Sequence, residues 1–433
     1  MKYVGIVICL ITLLLSIVKI PEVIAKEPIT LEYWSYQALD KASWPIAEKM
    51  IAEFEKKNPD IKVKVIPVDW GEIVNKTLVA TTGGNPPDLA DMWSMQIPGW
   101  VEQGLLTNLD PYVKNIDWKQ FASAALSLTK YKGSQWAIPM GCDSYALIYN
   151  KDRFKEGGLN PDKGPRTIEE LDRFAEKLYK IDDKGNIVRC GFAPWFAEDW
   201  GWNWIAAFGG EIWDEKTQKI VVNHPRNIAT LEWYDSYMKK YGREKMLEYM
   251  TTAAAGYGGR AISDSPIYTG EIAMFVAGDW YPKFFIELYR PDLNYGVVPL
   301  PYPPGGRKNS SEILASVTVI PKGAKHPDEA FKFLKFFWID NRPFTVTAGT
   351  DIPISNKWMP YFKKMFPKVG TWANVLFSPN AFPLPMIPAM SLPNWGGFIT
   401  ARDYVLHGKK TPKQALDDLT IELQREMDKY IKK

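Results

Sequence analysis

Apolar and polar positions change period repeatedly along this chain. Ile29 to Tyr36 alternates as a strand does and ends in aromatic and hydroxyl residues. From Trp44 and Pro45 the period lengthens: Ile46, Met50 and Phe54, with Ala47 and Ile51 beside them, make one helical face that Asn58-Pro59 stops. Ile61, Val63 and Val65 then alternate with Lys62 and Lys64. Strand, helix, strand predicts a βαβ opening with a right-handed crossover. A helix near Glu72 to Thr82 runs into Gly83-Gly84-Asn85-Pro86-Pro87, and Leu89 to Trp93 follows as a buried strand.

The same reading continues further on. Thr167 opens a helix with a capping box to Glu170 and a stripe of Leu171, Phe174, Ala175 and Leu178. Pro225 starts a helix through Trp233, Tyr234 and Tyr237, and Pro327 one whose Ala330, Phe333, Leu334 and Phe337 face inward. Thr411 as N-cap and Pro412 begin a last helix with Leu416, Leu419, Leu423 and Met427 on one stripe. Thr251 to Gly270, rich in Ala, Gly and Ser, has no stripe and predicts an irregular loop. It leads into the most sharply bounded run, Ile272 to Ala277, a buried strand between glycines. Gly278 allows a tight exit, and Asp279 is placed to cap a helix near Trp280. A core strand that delivers an acid and a large aromatic at its carboxyl end builds a cleft wall, the alternative being a capping Asp and a core Trp.

At 433 residues the chain is long for one core and predicts two domains. A net charge of +3, with 53 basic and 50 acidic residues, gives no basic face for nucleic acid. Trp is unusually abundant, at 18 residues. Trp195, Trp200, Trp202 and Trp204 fall in one stretch, the last three spaced two apart, so they cannot share a helical face. Core filling accounts for one or two of them, and the others are expected to point outward or into a cavity. Lys2, the apolar run Tyr3 to Val18 and the small-residue site at Val23-Ile24-Ala25 form an export signal over 1–25, a retained membrane anchor being the alternative. Beyond it only Cys142 and Cys190 remain, and an oxidising compartment permits either a bridge or two thiols.

Reactive constellations are lacking. His224, His326 and His407 have no metal-ligand spacing, no Gly-x-Ser-x-Gly elbow exists, and neither Gly83-Gly84 nor Gly256 to Arg260 has the setting of a phosphate loop. The acidic pairs Glu198-Asp199 and Asp417-Asp418 are neighbours, which rarely gives the separation glycoside hydrolysis needs. No catalytic residue, metal or cofactor is assigned. Indole planes suit the C–H faces of a pyranose, and carboxylates suit its hydroxyls, so Trp with Asp is a sugar-binding composition.

Four ordered motifs carry a family resemblance: Gly84-Asn-Pro-Pro-Asp-Leu with Trp93, Gly104-Leu-Leu-Thr-Asn-Leu-Asp110, Trp136 to Asp152, and Gly270-Glu-Ile-Ala-Met leading to Gly278-Asp-Trp280. From about residue 29 to 340 the chain resembles family 1 extracellular solute-binding proteins, the sugar-capture subunits of ABC importers. The resemblance implies an α/β fold of two lobes, each a sheet flanked by helices, hinged with the ligand cleft between them. The expected lobes are 26–146 with 300–345, and 147–299 with 346–433, the chain crossing near 147 and 300 and again near 345. In that family the Trp of the last motif stacks on the sugar. The expected stacking residues are thus Trp280, Trp93 and Trp395, with Trp202 and Trp195 adding subsites and Trp34 and Tyr36 bordering the cleft. Asp91, Asp143 and Asp279 would accept hydroxyl hydrogen bonds, with Ser144 beside them; a turn or hinge role is the alternative for Asp143. So many platforms favour an oligosaccharide. The partners implied are a carbohydrate and the membrane permease subunits of an ABC transporter, with the protein itself exported and monomeric. A secreted carbohydrate-active enzyme and a binding protein for a peptide or polyamine are the competing readings.

Overall fold

The structure, a computed structural model, describes residues 27–39, 44–196, 201–252, 264–340 and 354–431, the side chains of Met365, Asn394, Trp395 and Ile431 excepted. The predicted βαβ opening is present. Ile29–Ser35 (β1) buries Leu31, Tyr33 and Ser35 on one face. Trp44–Lys57 (α1) lays Ala47, Met50, Ile51 and Phe54 inward, and Ile61–Pro67 (β2) returns parallel to β1. Ile73–Thr82 (α2) ends where Gly84 turns to φ +78°, a backbone that favours glycine. Leu89–Trp93 (β3) then pairs parallel with β1 and is buried up to its last residue.

Ile138–Asp143 (β4) completes the first sheet only with help from far along the chain. Glu312–Val319 (β8) lies antiparallel between β3 and β4, and Phe382–Pro383 (β9) adds parallel to its start. The result is a mixed six-stranded sheet. The second sheet is smaller: Tyr145–Asn150 (β5) runs between Met274–Gly278 (β6) and Tyr295–Pro299 (β7), antiparallel to both. Every residue from Ile272 to Ala277 is buried, although pairing with β5 starts at Met274 and Ile272 bridges to Cys190 instead.

The second lobe also holds Ile168–Leu178 (α3), Asn203–Phe208 (α4), Pro225–Tyr241 (α5), Gly370–Leu376 (α7), Phe398–Leu406 (α8) and Pro412–Ile431 (α9), with α3, α4, α8 and α9 all meeting α5. Of these α7 lies on β5 and β7, and α9 on α5 and α8. Pro327–Leu334 (α6) covers the first sheet, where Phe333 meets the ring edges of Tyr33 and Phe54. Both predicted caps form. Glu170 N donates to Thr167 Oγ1, while Gln414 N and Thr411 N exchange bonds with the opposite side chain in a reciprocal pair.

The structure corrects several expectations. Tyr145 and Ala146 already pair in the second sheet, so the chain leaves the first sheet at Ser144, three residues before the expected 147. The stretch 346–433 is shared between lobes: β9 joins the first sheet and Ile354 O accepts from Ala122 N, while α7, α8 and α9 belong to the second. The crossing expected near 345 falls outside the described residues. Pro266–Thr269 forms a helical turn inside the predicted loop, of which residues 253–263 are not described. Cys142 and Cys190 are buried and form no disulfide, and burial pushes the Cys190 thiol up to about 12. Trp195, Trp202 and Trp204 are all buried: α5 presents Trp233, Tyr234 and Tyr237 to Trp195 and Trp204, and Phe398 of α8 meets Trp202. Trp200, with Glu198 and Asp199, lies outside the described residues.

Candidate functional site

Three strand ends of the first sheet bring aromatics together. Tyr36 follows β1 and Trp93 ends β3; their rings stack at 5.6 Å with planes 6° apart. Trp70, in the turn between β2 and α2, stands edge-on to Trp93 at 6.1 Å and remains 42% exposed. Tyr36 and Trp93 are half-buried, so the three form a partly exposed aromatic ledge. Trp34 is also half-buried, but its indole nitrogen is spent on Glu32 Oε1 at 2.7 Å.

Beneath the ledge lies Asp91. It was expected at the cleft surface, but it is fully buried, and its carboxylate accepts from Tyr33 Oη at 2.7 Å, Ser35 Oγ at 2.5 Å and Thr318 Oγ1 at 2.9 Å. Burial raises this carboxyl to about 7 while the hydroxyl donors pull it down. The acid is a brace joining β1, β3 and β8, and it holds the ledge from behind.

At the second sheet Trp280 follows β6 by two residues and is half-buried, edge-on to Tyr145 at 5.5 Å. Its ring lies against Gly278, where an added Cβ would sit 2.1 Å from Trp280 Cζ3. The Gly-x-Trp spacing is thus a packing requirement: only a residue without a side chain lets the indole fold back onto its own strand. Asp279 is buried and accepts from Ser144 N at 3.2 Å, and Ser144 Oγ donates to Trp372 O at 3.1 Å. Trp372 Nε1 in turn donates to Ala277 O at 2.9 Å. Both polar residues therefore fasten the first crossing. Asp143 stands half-buried at the end of β4, opposite Leu314.

The second crossing joins the same network. Tyr145 N donates to Ser311 Oγ at 3.0 Å, and the buried Glu312 accepts from Trp202 N at 2.9 Å. Trp202 is itself fully buried against Phe398 at 4.5 Å, so its ring is core. Trp195 packs on Tyr234 and Tyr237 inside the second lobe, which separates it from the ledge residues. Trp395 lies in the short helix Pro393–Gly396, and its side chain is outside the described ones.

The expected residues thus divide. Tyr36 and Trp93 come together on one ledge, and Trp280, Asp279, Ser144 and Asp143 gather at the first crossing. Trp195 and Trp202 sit in the core, and Asp91 beneath the ledge. Sequence reasoning missed Trp70 and Glu312. Trp70 was within reach, since it follows β2 as Tyr36 follows β1, and ends of neighbouring parallel strands share one rim. Glu312 gave no local signal, because its partner is distant in sequence.

Residues 42–337 match the model of the bacterial extracellular solute-binding protein family. An uncharacterised ABC transporter extracellular-binding protein of Pyrococcus horikoshii is 26% identical over 67% of this chain and 63% of its own length. The arabinooligosaccharide-binding protein of Bacillus subtilis is 24% identical over 91% of the chain and 92% of its own. Among solved structures, CpMnBP1 with mannotriose bound superposes with a TM-score of 0.79 at 29% identity, covering 91% of this chain and all of that one. The two sheets joined by crossings, with aromatic strand ends on each, are the two-lobe architecture of such proteins, and the chain belongs to the bacterial extracellular solute-binding protein family.

Proposed function

We propose that this solute-binding protein captures a carbohydrate of two or more rings between its lobes and hands it to the permease of an ABC importer. The observation that carries the reading is the ledge of Tyr36, Trp70 and Trp93 on one sheet and Trp280 on the other. Flat, half-open aromatic faces on both sides of a hinge suit the apolar faces of successive sugar rings. The mannotriose held by CpMnBP1 and the arabino-oligosaccharide named for the Bacillus subtilis relative support the same class. In this reading Trp93, Tyr36, Trp70 and Trp280 stack on rings, and Asp143 accepts hydroxyl protons at the rim. Asp279 and Ser144 set the hinge. Ligand touching both lobes favours the closed state, which the permease reads. The protein acts outside the cytoplasm, in the periplasm or at the cell surface, as a monomer, with residues 1–25 either removed or kept as an anchor.

Intrinsic Trp fluorescence and melting temperature, followed against manno-, arabino-, gluco-, xylo- and galacto-oligosaccharides, test the reading. A saturable shift with a raised melting temperature and no product is expected. A shift with polyamines or peptides alone would overturn the substrate class, and turnover of sugar would overturn binding as the function.

A further inference from the structure

The seam between α4 and the second crossing holds polar groups that the protein itself does not use. Asn203 is fully buried, yet neither its Oδ1 nor its Nδ2 makes a hydrogen bond. Among the described residues it is the one side-chain amide with donor and acceptor both unpaired. Ser310 is also fully buried with its Oγ unpaired. These two flank one contact: Asn203 follows Trp202, whose amide donates to Glu312, and Ser310 stands two residues before Glu312.

The segment carrying Ser310 grips α4 along its length. Arg307 N donates to Ala207 O at 2.9 Å and Arg307 Nη1 to Gly210 O at 2.7 Å, while Glu312 holds Trp202 N. Gly306 passes so close that an added Cβ would lie 2.5 Å from Ala207 O. Through Ser311 and Tyr145 the same segment joins the first crossing, where Ser144 meets Asp279 beside Trp280. Asn203 and Ser310 thus belong to the hinge floor between the lobes.

A buried amide left unpaired is costly, and such groups in folded proteins are nearly always satisfied. From this and the placement we propose that Asn203, assisted by Ser310, is a specificity-determining residue that reads a pair of neighbouring hydroxyls on the bound sugar. The inference rests on the carbohydrate reading above. A carboxamide offers one acceptor and one donor side by side, which matches a vicinal diol: one hydroxyl donates to Oδ1 while its neighbour accepts from Nδ2. Aromatic ledges accept many rings, because every ring has an apolar face. An amide that must find both partners rejects a ring lacking either hydroxyl, since the site's polar groups would then stay unpaired. The group argued here is the side chain, whose polar atoms make no hydrogen bond that holds α4 in place.

The test is calorimetry with whichever of mannotriose, maltotriose and arabinotriose the parent binds, together with monodeoxy analogues of that sugar, on the parent, Asn203→Ala, Asn203→Asp and Ser310→Ala. Asn203→Ala is expected to weaken binding at least tenfold and to erase most discrimination against one deoxy analogue. Its unliganded melting temperature should stay at or rise above that of the parent, since an unpaired buried amide is removed. Asn203→Asp, which keeps acceptors and loses the donor, should fall between the two, and Ser310→Ala should lose several-fold. Affinity within twofold of the parent in Asn203→Ala overturns the inference and leaves the carbohydrate reading standing. A lower unliganded melting temperature with unchanged affinity would make the amide structural and overturns it equally. If Asn203→Ala does not fold, unchanged affinity and deoxy discrimination in Ser310→Ala do so. A parent that binds none of the three sugars overturns both readings.

Discussion

Asp91 illustrates how far a residue's type can be read without its surroundings. Its position at the end of β3 was legible, and an acid there pointed to ligand hydroxyls; Tyr33, Ser35 and Thr318 supply those hydroxyls from within the lobe instead. Only the pairing of β8 beside β3 reveals this, and that pairing spans most of the chain. The consequence is measurable. With the folded carboxyl raised to about 7 from an ordinary 3.8, the native state keeps a proton that the unfolded chain has lost. The stabilisation is fully present below pH 4 and is lost as pH rises through 7, at about 1.4 kcal/mol per unit across that window. Melting temperatures of parent and Asp91→Asn between pH 4 and 8 should therefore converge in slope only above 7; parallel curves throughout would refute the placement. Gly278 makes a second case. Gly278→Ala should lower both stability and sugar affinity by displacing the Trp280 ring, at about 1–3 kcal/mol of stability. In a Trp280→Ala background the same change should cost much less stability, a coupling that a double-mutant cycle measures.

Elements were the most legible scale, because period and capping are local. The stripe of α9 and its Thr411 cap stood in the sequence, and the structure adds Gln414 as the reciprocal partner. Thr411→Ala should cost about 1 kcal/mol, seen in calorimetry as a fall in melting temperature with ligand affinity unchanged. An equal loss of affinity would mean that α9 reaches the site. Illegible at this scale was the fate of the Trp-rich stretch. Two-residue spacing rules out one helical face, but Trp204 and Trp195 are taken up by different partners on α5, so three indoles enter one core without sharing a face.

For the whole molecule, the two-lobe plan followed from motifs in order, while the exact residue of the first joint did not. Ser144 alone separates strands of different sheets, and no composition shift marks it. The aromatic ledge and Trp280 sit on opposite sides of that joint, so ligand should draw the lobes together. Small-angle scattering is expected to show a smaller radius of gyration at saturating oligosaccharide. Trp93→Ala should need at least tenfold more sugar for the same contraction, and an unchanged midpoint would remove Trp93 from the site.

The short joint at Ser144, together with the second crossing, also fixes a concentration. On the carbohydrate reading each lobe offers a surface for one side of the sugar, and the connections hold the second surface at about millimolar or higher local concentration once the first is engaged. Overall affinity then depends on tether length as well as on contacts. Inserting two or three glycines beside Ser144 would slacken one of these connections and should weaken capture, because the lobes, still tied by the second crossing, would hold the two halves of the receptor less firmly in register.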